Sequence, residues 1–135
     1  MRFSVAMPEK LLMDFDQYVA RRGIARNRSE VVRDLVREAL VEEECELPGV
    51  EVMGSLTIVY DHHASDLQEK LHVIQHHNLE NVVTSTHVHI DERFCLEVII
   101  LRGEATVVQD IGDTILGTKG VKTGKLVLTT VGTLH

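Results

Sequence analysis

The sequence lacks tryptophan, contains only two cysteines among its 135 residues, and has an aromatic content of only 4%. Two cysteines in settings as different as those of Cys45 and Cys95 do not make the disulfide framework of a small secreted domain. With so few aromatic side chains, aliphatic residues must supply the core. No apolar run approaches the length of a membrane span, and no signal-type apolar segment follows residues 1–5. We therefore expect a cytoplasmic protein that does not enter a membrane.

The net charge of −7 is unevenly distributed along the chain. Residues 1–30 contain six Lys and Arg against four Asp and Glu, whereas residues 45–135 contain six against twelve. An acidic excess argues against contact with nucleic acid across the whole surface, because phosphates attract Lys and Arg. Any phosphate contact must therefore come from the N-terminal end.

The N-terminal part of the chain is expected to contain a strand and two helices. Residues 2–7 alternate polar or small side chains with bulky apolar ones, which is typical of an amphipathic strand. Apolar residues recur at helical spacing over 8–22 and again over 31–40. Asn27 and Glu30 have the spacing of a capping box ahead of the second helix. A unit this small cannot bury both apolar stripes alone, so we expect a second copy to pair with its strand.

Two such strands would form a ribbon that fits the major groove of DNA. The order strand, helix, loop, helix, with the motif RNRSEVVR at residues 26–33, resembles the ribbon-helix-helix repressors. The resemblance implies that the strand reads bases and that the second helix begins at a phosphate, an anion that helix N-termini favour. The residues in these roles would be Arg2, Ser4 and Ala6 for the bases, and Arg28, Ser29 and Arg33 for the phosphates. Ala6 departs from the polar residue usual at its position, since it offers only a methyl contact, for example to thymine.

A second domain is expected over residues 50–135, after a first domain over residues 1–45. Its predicted elements are a strand over 50–60, a helix from the capping residue Ser65 to about 78, a hairpin over 82–102, a helix over 105–116 and a strand over 121–131. The order βαββαβ implies an α+β, ferredoxin-like (ACT-like) domain with both helices on one face of an antiparallel sheet.

The hairpin over 82–102 brings together side chains that bind metals. Because side chains alternate along a strand, His87 and His89 point to the same face. With the turn centred on Glu92, His89 lies opposite Cys95. The same register places Glu97 opposite His87, so two imidazoles, one thiol and one carboxylate share one patch.

The other face of the hairpin is apolar throughout and is expected to pack on the core. Its members are Val88, Ile90, Phe94, Leu96 and Val98. The patch with the histidines would then lie on the face that the helices leave open. It continues into Ile99 and Leu101, so we expect another subunit to cover it.

Imidazole and thiolate are the ligands that late first-row transition metals prefer. A His-x-His motif in a strand is by itself more often a pair of solvent-exposed side chains. With Cys95 in register and a histidine-rich segment at 72–77 nearby, metal binding becomes the favoured interpretation. Three ligands leave a centre incomplete, so a further ligand must come from elsewhere.

The whole combination is similar to the nickel-responsive transcriptional regulator (NikR) family: a ribbon-helix-helix head, a βαββαβ body and the motifs QHH at 75–77, HVH at 87–89 and Cys95. The resemblance implies a homotetramer, a dimer of dimers, in which four regulatory domains are flanked by two heads that bind double-stranded operator DNA. It also implies Ni(2+) in a planar site at the tetramer interface. The ligands would be His87, His89 and Cys95 of one subunit and His76 of another.

Further residues are predicted to act on these ligands or on a second cation. Glu97 is expected to orient His87, and the resemblance adds Tyr60, His62 and Gln75 to the groups around the metal. Glu30 and Asp34, one turn apart on the second helix, match family residues that hold a cation between head and body. Their alternative interpretation is a pair of solvated carboxylates.

The favoured function is a nickel-responsive repressor, and two other classes stay open. The same His and Cys patch would suffice for a cytosolic buffer or chaperone of nickel or another transition metal. A ribbon-helix-helix repressor could instead sense a small molecule at the βαββαβ interface. An enzyme is the least favoured class, because the sequence has no Gly-rich ligand loop and no assigned general base except Glu97, although an open zinc site with two His and one Cys could activate water.

Overall fold

The structure, a computed structural model, describes residues 1–23, 26–64 and 66–131, so the predicted capping residue Ser65 lies outside the described residues. Two compact units are present, Met1–Leu40 and Val41–His135. The elements, in chain order, are α1 Glu9–Arg22, α2 Arg28–Glu44, β1 Glu51–Asp61, α3 Leu67–His77, β2 Val82–His89, β3 Phe94–Glu104, α4 Ala105–Leu116 and β4 Val121–Thr130. No helix among the described residues has both the length and the apolar content needed to cross a membrane.

The first unit contains α1 and all of α2 except its last four residues, and both helices were predicted. The side chain of Asn27 accepts a hydrogen bond of 2.9 Å from the Glu30 backbone N–H, as expected for a residue that caps α2. The predicted strand over 2–7 is not formed, since residues 1–8 belong to no helix or strand. Phe3 and Val5 are 74% and 65% exposed. A strand needs backbone hydrogen bonds to a neighbour, and within the described part of one chain this segment has no neighbouring strand.

The second unit is a four-stranded antiparallel sheet with the order β2-β3-β1-β4. This is the ferredoxin-like arrangement that the βαββαβ pattern predicts, and it confirms the α+β class. Alternate residues of β1 and β3 are buried together with apolar residues of α3 and α4. The largest of these side chains are Leu56, Ile58, Tyr60, Leu67, Leu71, Ile99, Leu101 and Ile115. Both helices therefore cover the same face of the sheet.

The helices cover the face opposite to the one that the hairpin pattern predicts. Cys95 and Glu97 are each only 1% exposed and share the covered face with Ile99 and Leu101, which are fully buried. The face predicted to be core is open instead. Its members range from Val88 and Ile90, which are 50% and 53% exposed, to Phe94, Leu96 and Val98, which are half-buried.

The prediction of the covered face was wrong because both faces of β3 carry large apolar side chains. Alternation along one strand separates two faces but does not say which one the helices cover. That choice depends on β1, whose Leu56 and Ile58 pair with Ile99 and Glu97 and carry the apolar side chains onto which α3 and α4 pack. In the His and Cys patch, Cys95 and Glu97 of β3 are therefore buried in the core, whereas His87 and His89 of β2 are exposed.

Gly124 in β4 offers a test of how closely this sheet and α4 pack. A Cβ at this position would lie 2.7 Å from the backbone oxygen of Thr57 and 2.6 Å from Cδ2 of Leu116. The oxygen belongs to the paired strand β1 and cannot move away. We therefore expect Gly124→Ala to lower the free energy of unfolding by about 1–3 kcal/mol, measured by urea denaturation. Lys125→Ala, an exposed neighbour, should change it by less than about 0.5 kcal/mol, and equal midpoints for the two variants would contradict the predicted crowding.

Candidate metal centre

The hairpin of β2 and β3 has the register that the sequence predicts. His87 is paired with Glu97, and His89 is paired with Cys95. The connecting turn is closed by the carboxylate of Asp91, which accepts hydrogen bonds of 2.8 Å from the backbone N–H groups of Arg93 and Phe94. These hydrogen bonds lower the pKa of Asp91. An Asp that bonds to the backbone two residues on is a common way to close a turn, so this local chemistry sets the register.

The structure brings His62, His89 and Cys95 into one cluster, with one candidate ligand atom of each residue within 4.8 Å of the others. Sγ of Cys95 lies 3.3 Å from Nδ1 of His89. The rings of His62 and His89 meet edge to face, with their centroids 5.8 Å apart. The thiol is buried, the His62 side chain is half-buried and the His89 side chain is exposed. The cluster therefore extends from the buried core to the solvent-exposed surface, at the end of the sheet.

His62 enters this cluster through the pairing of β1 with β3. Tyr60 is the register partner of Cys95, and His62 follows two residues later, just past the end of β1. Sequence reasoning gave His62 only the role of a neighbouring group. The signal that would have placed it beside the thiol is a pairing between strands more than 30 residues apart, which the local pattern does not contain.

His87 is held apart from the cluster by two contacts. Its Nδ1 lies 3.2 Å from the hydroxyl of Tyr60, and its Nε2 lies 2.8 Å from Oε1 of Glu97. The buried Glu97 carboxylate also accepts hydrogen bonds from Gln75 Nε2 at 2.8 Å and from the Tyr60 hydroxyl at 3.4 Å. Burial, followed by the nearby charge of Glu97, raises the pKa of Tyr60 to about 12. Tyr60 is therefore a neutral hydrogen-bond donor at neutral pH.

A cavity of about 320 Å³ adjoins His87 and is lined in part by Leu71, His72 and Ser85. His76, the fourth ligand that the family resemblance implies, lies in the last turn of α3 and is exposed. Its ring centroid is 6.4 Å from that of His77. The structure does not bring His76 into the cluster of His62, His89 and Cys95 found among the described residues.

The donor set of the cluster fits a late transition metal. Two imidazole nitrogens and one thiol are borderline and soft ligands, which suit nickel, copper and zinc better than magnesium or calcium. Both cysteines of the chain are free, so the Cys95 thiol is not consumed in a disulfide.

The residues predicted to contact DNA lie at two places in the first unit. Arg2, Ser4 and Ala6 are exposed in the segment before α1. Arg28 begins α2, and its guanidinium forms two hydrogen bonds of 2.7 Å with Asp16. These hydrogen bonds raise the pKa of Arg28 and lower that of Asp16. A phosphate must therefore compete with the Asp16 carboxylate for Arg28.

The remaining predicted groups on α2 have different surroundings. Ser29 and Arg33 are exposed in the first two turns of α2. Asp34 forms ion pairs with Arg26 and with Arg37, the second at 3.4 Å, while Glu30 is half-buried. A cation at Glu30 and Asp34 would have to compete with the two guanidinium groups on Asp34.

Comparison with known proteins covers both parts of the chain. Residues 53–129 match the family described as NikR C terminal nickel binding domain, and residues 1–43 match the ribbon-helix-helix protein, copG family. The chain is 49% identical over 131 residues to a protein of Geobacter sulfurreducens and 47% identical over 131 residues to one of Pyrococcus horikoshii. Each comparison covers 97% of this chain and 94% of the relative, and both relatives carry the name "Putative nickel-responsive regulator".

Proposed function

The chain belongs to the NikR family of nickel-responsive regulators, and we propose that it is a repressor whose affinity for double-stranded operator DNA depends on Ni(II). One observation supports this function above the others. The domain that matches the nickel-binding family holds the buried thiol of Cys95 3.3 Å from Nδ1 of His89, and His87 lies two residues away on the same strand. The unit that would contact DNA is a separate part of the same chain, and binding to DNA implies a cytoplasmic location.

We infer that the nickel ligands are His87, His89 and Cys95 of one subunit and the partner subunit's His76. His89 and Cys95 are already adjacent, whereas the His87 ring has to turn away from Tyr60 and Glu97. The His87 side chain is 51% exposed, so the solvent leaves room for this change of rotamer. Cys95 would bind as the thiolate and release its proton. Bound Ni(II) would be coordinated by residues of two subunits and would thereby link them.

A hydrogen-bond network connects these ligands to α3. Gln75, the residue before His76, donates to Glu97, and the same carboxylate contacts His87. The network therefore links the helix that would reach the next subunit with the strands that hold the other ligands. Groups that hydrogen-bond to metal ligands fix their orientation, which is the role we propose for Glu97, Gln75 and Tyr60.

The exposed apolar surfaces support a dimer of dimers. In the first unit Phe3 and Val5 require a second copy that completes the ribbon. In the second unit the open face of the sheet carries Val88, Leu96 and Val98, and a contiguous apolar face of this kind is typical of a subunit interface. Regulation then requires that the metal-bound and metal-free assemblies differ in their affinity for DNA.

His76→Ala tests whether the centre is shared between subunits. We expect nickel affinity to fall at least about 10-fold, because one of four ligands is lost, while the exposed position leaves the fold intact. The measurements are nickel titrations followed by thiolate-to-nickel absorption, with the mass of the assembly determined in parallel. His77→Ala is the matched control, since it is exposed on the same turn of α3. Undiminished absorption and affinity in His76→Ala would show that the nickel centre is closed within one chain.

A further inference from the structure

We propose that the carboxylate of Asp16 is an internal competitor for the DNA phosphate at Arg28, and that it lowers the affinity of the first unit for every duplex. The part that Arg28 plays in DNA binding rests on the proposed function, whereas its pairing with Asp16 rests on the geometry. Asp16 thereby prevents phosphate contacts alone from holding the chain on DNA that lacks the bases of the operator.

Asp16 and Arg28 form a bidentate ion pair between the two helices of the first unit. Nε and Nη2 of the guanidinium each donate a hydrogen bond of 2.7 Å to one of the two carboxylate oxygens. Asp16 lies in the middle of α1, and Arg28 is the first residue of α2. Two parallel hydrogen bonds from the planar guanidinium are also the arrangement in which arginine binds a phosphate. The carboxylate therefore stands in for the phosphate at Arg28.

The ion pair lies at the surface, where DNA can reach it. The side chains of Arg28 and Asp16 are 60% and 44% exposed. The hydrogen bonds from Arg28 lower the pKa of Asp16, so the carboxylate stays charged at neutral pH. While the two groups are paired, their charges cancel. Arg28 then contributes little of the attraction between cations and phosphates that supplies most non-specific affinity for DNA.

Arg33 shows what an arginine without such a competitor looks like. It is exposed on α2, five residues after Arg28, and no acidic side chain in the described part of the first unit forms an ion pair with it. The base contacts proposed for Arg2 do not involve Asp16 either. The penalty therefore falls on one phosphate contact, and a duplex that also offers base contacts stays bound at protein concentrations at which other duplexes are released.

Asp16→Asn tests the competition, because it keeps the size of the side chain and removes its charge. We expect DNA affinity to rise about 3- to 10-fold at roughly 0.1 M salt, since an exposed ion pair is worth a factor of about 1.5–5 and a dimeric head carries two. The gain should shrink as salt is added. It should be equal with and without nickel, because both residues belong to the unit Met1–Leu40 and the proposed ligands belong to the other.

The measurement titrates the full chain and its variants into two labelled duplexes of equal length, one selected by the unchanged chain and one of random sequence. Asp14→Asn is the matched control, since it removes the same charge from α1, where the carboxylate pairs with Lys10 at 3.3 Å. We expect it to raise affinity by less than about 2-fold. In a chain that already carries Arg28→Ala, the Asp16 substitution should give no gain, because the competitor acts through Arg28. If Asp16→Asn folds poorly, Asp16→Ser should show the same gain.

Unchanged or weaker DNA binding by the folded Asp16 variants would overturn the proposal, because Asp16 would then only join the helices or orient Arg28. An equal gain in Asp14→Asn, or a full gain in the Arg28→Ala chain, would also overturn it, since net charge would then explain the effect. If the Asp16 variants bind DNA more tightly but nickel changes no affinity, the proposed function fails while the competition at Arg28 still stands. The two proposals are therefore distinguishable in one set of titrations.

Discussion

Cys95→Ser will bind Ni(II) on the order of 10²-fold more weakly than the unchanged chain and will lose the thiolate-to-nickel absorption bands. The thiol is the soft ligand at the junction of the core and the solvent, 1% exposed and 3.3 Å from His89. A serine hydroxyl is a hard donor that keeps its proton at neutral pH, so it replaces neither the charge nor the softness of the thiolate. The affinity is measured by competition with a chelator, and the bands are followed in the same titration.

Cys45→Ser is the matched control for this result. Cys45 is also a buried free thiol, 6% exposed, but it packs within the apolar core, where burial and the nearby Glu44 and Glu46 raise its pKa. We expect the Cys45 variant to keep the nickel bands, even if its unfolding midpoint falls. Persistence of the bands in a folded Cys95→Ser chain, or their loss in Cys45→Ser, would show that Cys95 does not hold the nickel.

Combined replacement of Arg2 and Arg28 by alanine, in the N-terminal unit, will abolish the control of DNA binding by nickel. We expect DNA affinity to fall on the order of 10²-fold, because one base contact and one phosphate contact are lost. In a plot of the logarithm of DNA affinity against the logarithm of salt concentration, the slope is negative. Its magnitude should decrease by about one, because one phosphate contact is lost. Nickel binding should be unchanged, since both arginines belong to the unit Met1–Leu40 and the proposed ligands belong to the other unit.

The measurement uses a duplex selected from a random pool by the unchanged chain with nickel present, followed at several salt concentrations. Arg102→Ala, which removes an exposed arginine paired with Glu51 in the second unit, is the control and should bind this duplex normally. If the double variant binds DNA as tightly as the control, the resemblance has assigned the wrong residues. If even the unchanged chain shows no dependence of DNA affinity on nickel, the metal buffer becomes the better explanation.

The features that depend on neighbouring residues were predictable from the sequence. The turn at 91–93 is closed by hydrogen bonds between residues two and three apart, so the pairing of His89 with Cys95 follows from the local pattern. Asn27 caps α2 for the same reason. The order of elements likewise leads to the ferredoxin-like sheet, because one tight hairpin and two connections through helices that pack on one face leave few other arrangements of four strands.

The covered face of the sheet and the composition of the cluster were not predictable in this way. Both depend on β1, which is far from the hairpin in sequence but lies between β3 and β4 in the sheet. Its pairing with β3 carries His62 to Cys95 and buries Glu97 beside Tyr60. Alternation separates the two faces of a strand, but only the packing of α3 and α4 decides which face becomes the core, because that choice is made by contacts between residues distant in the chain.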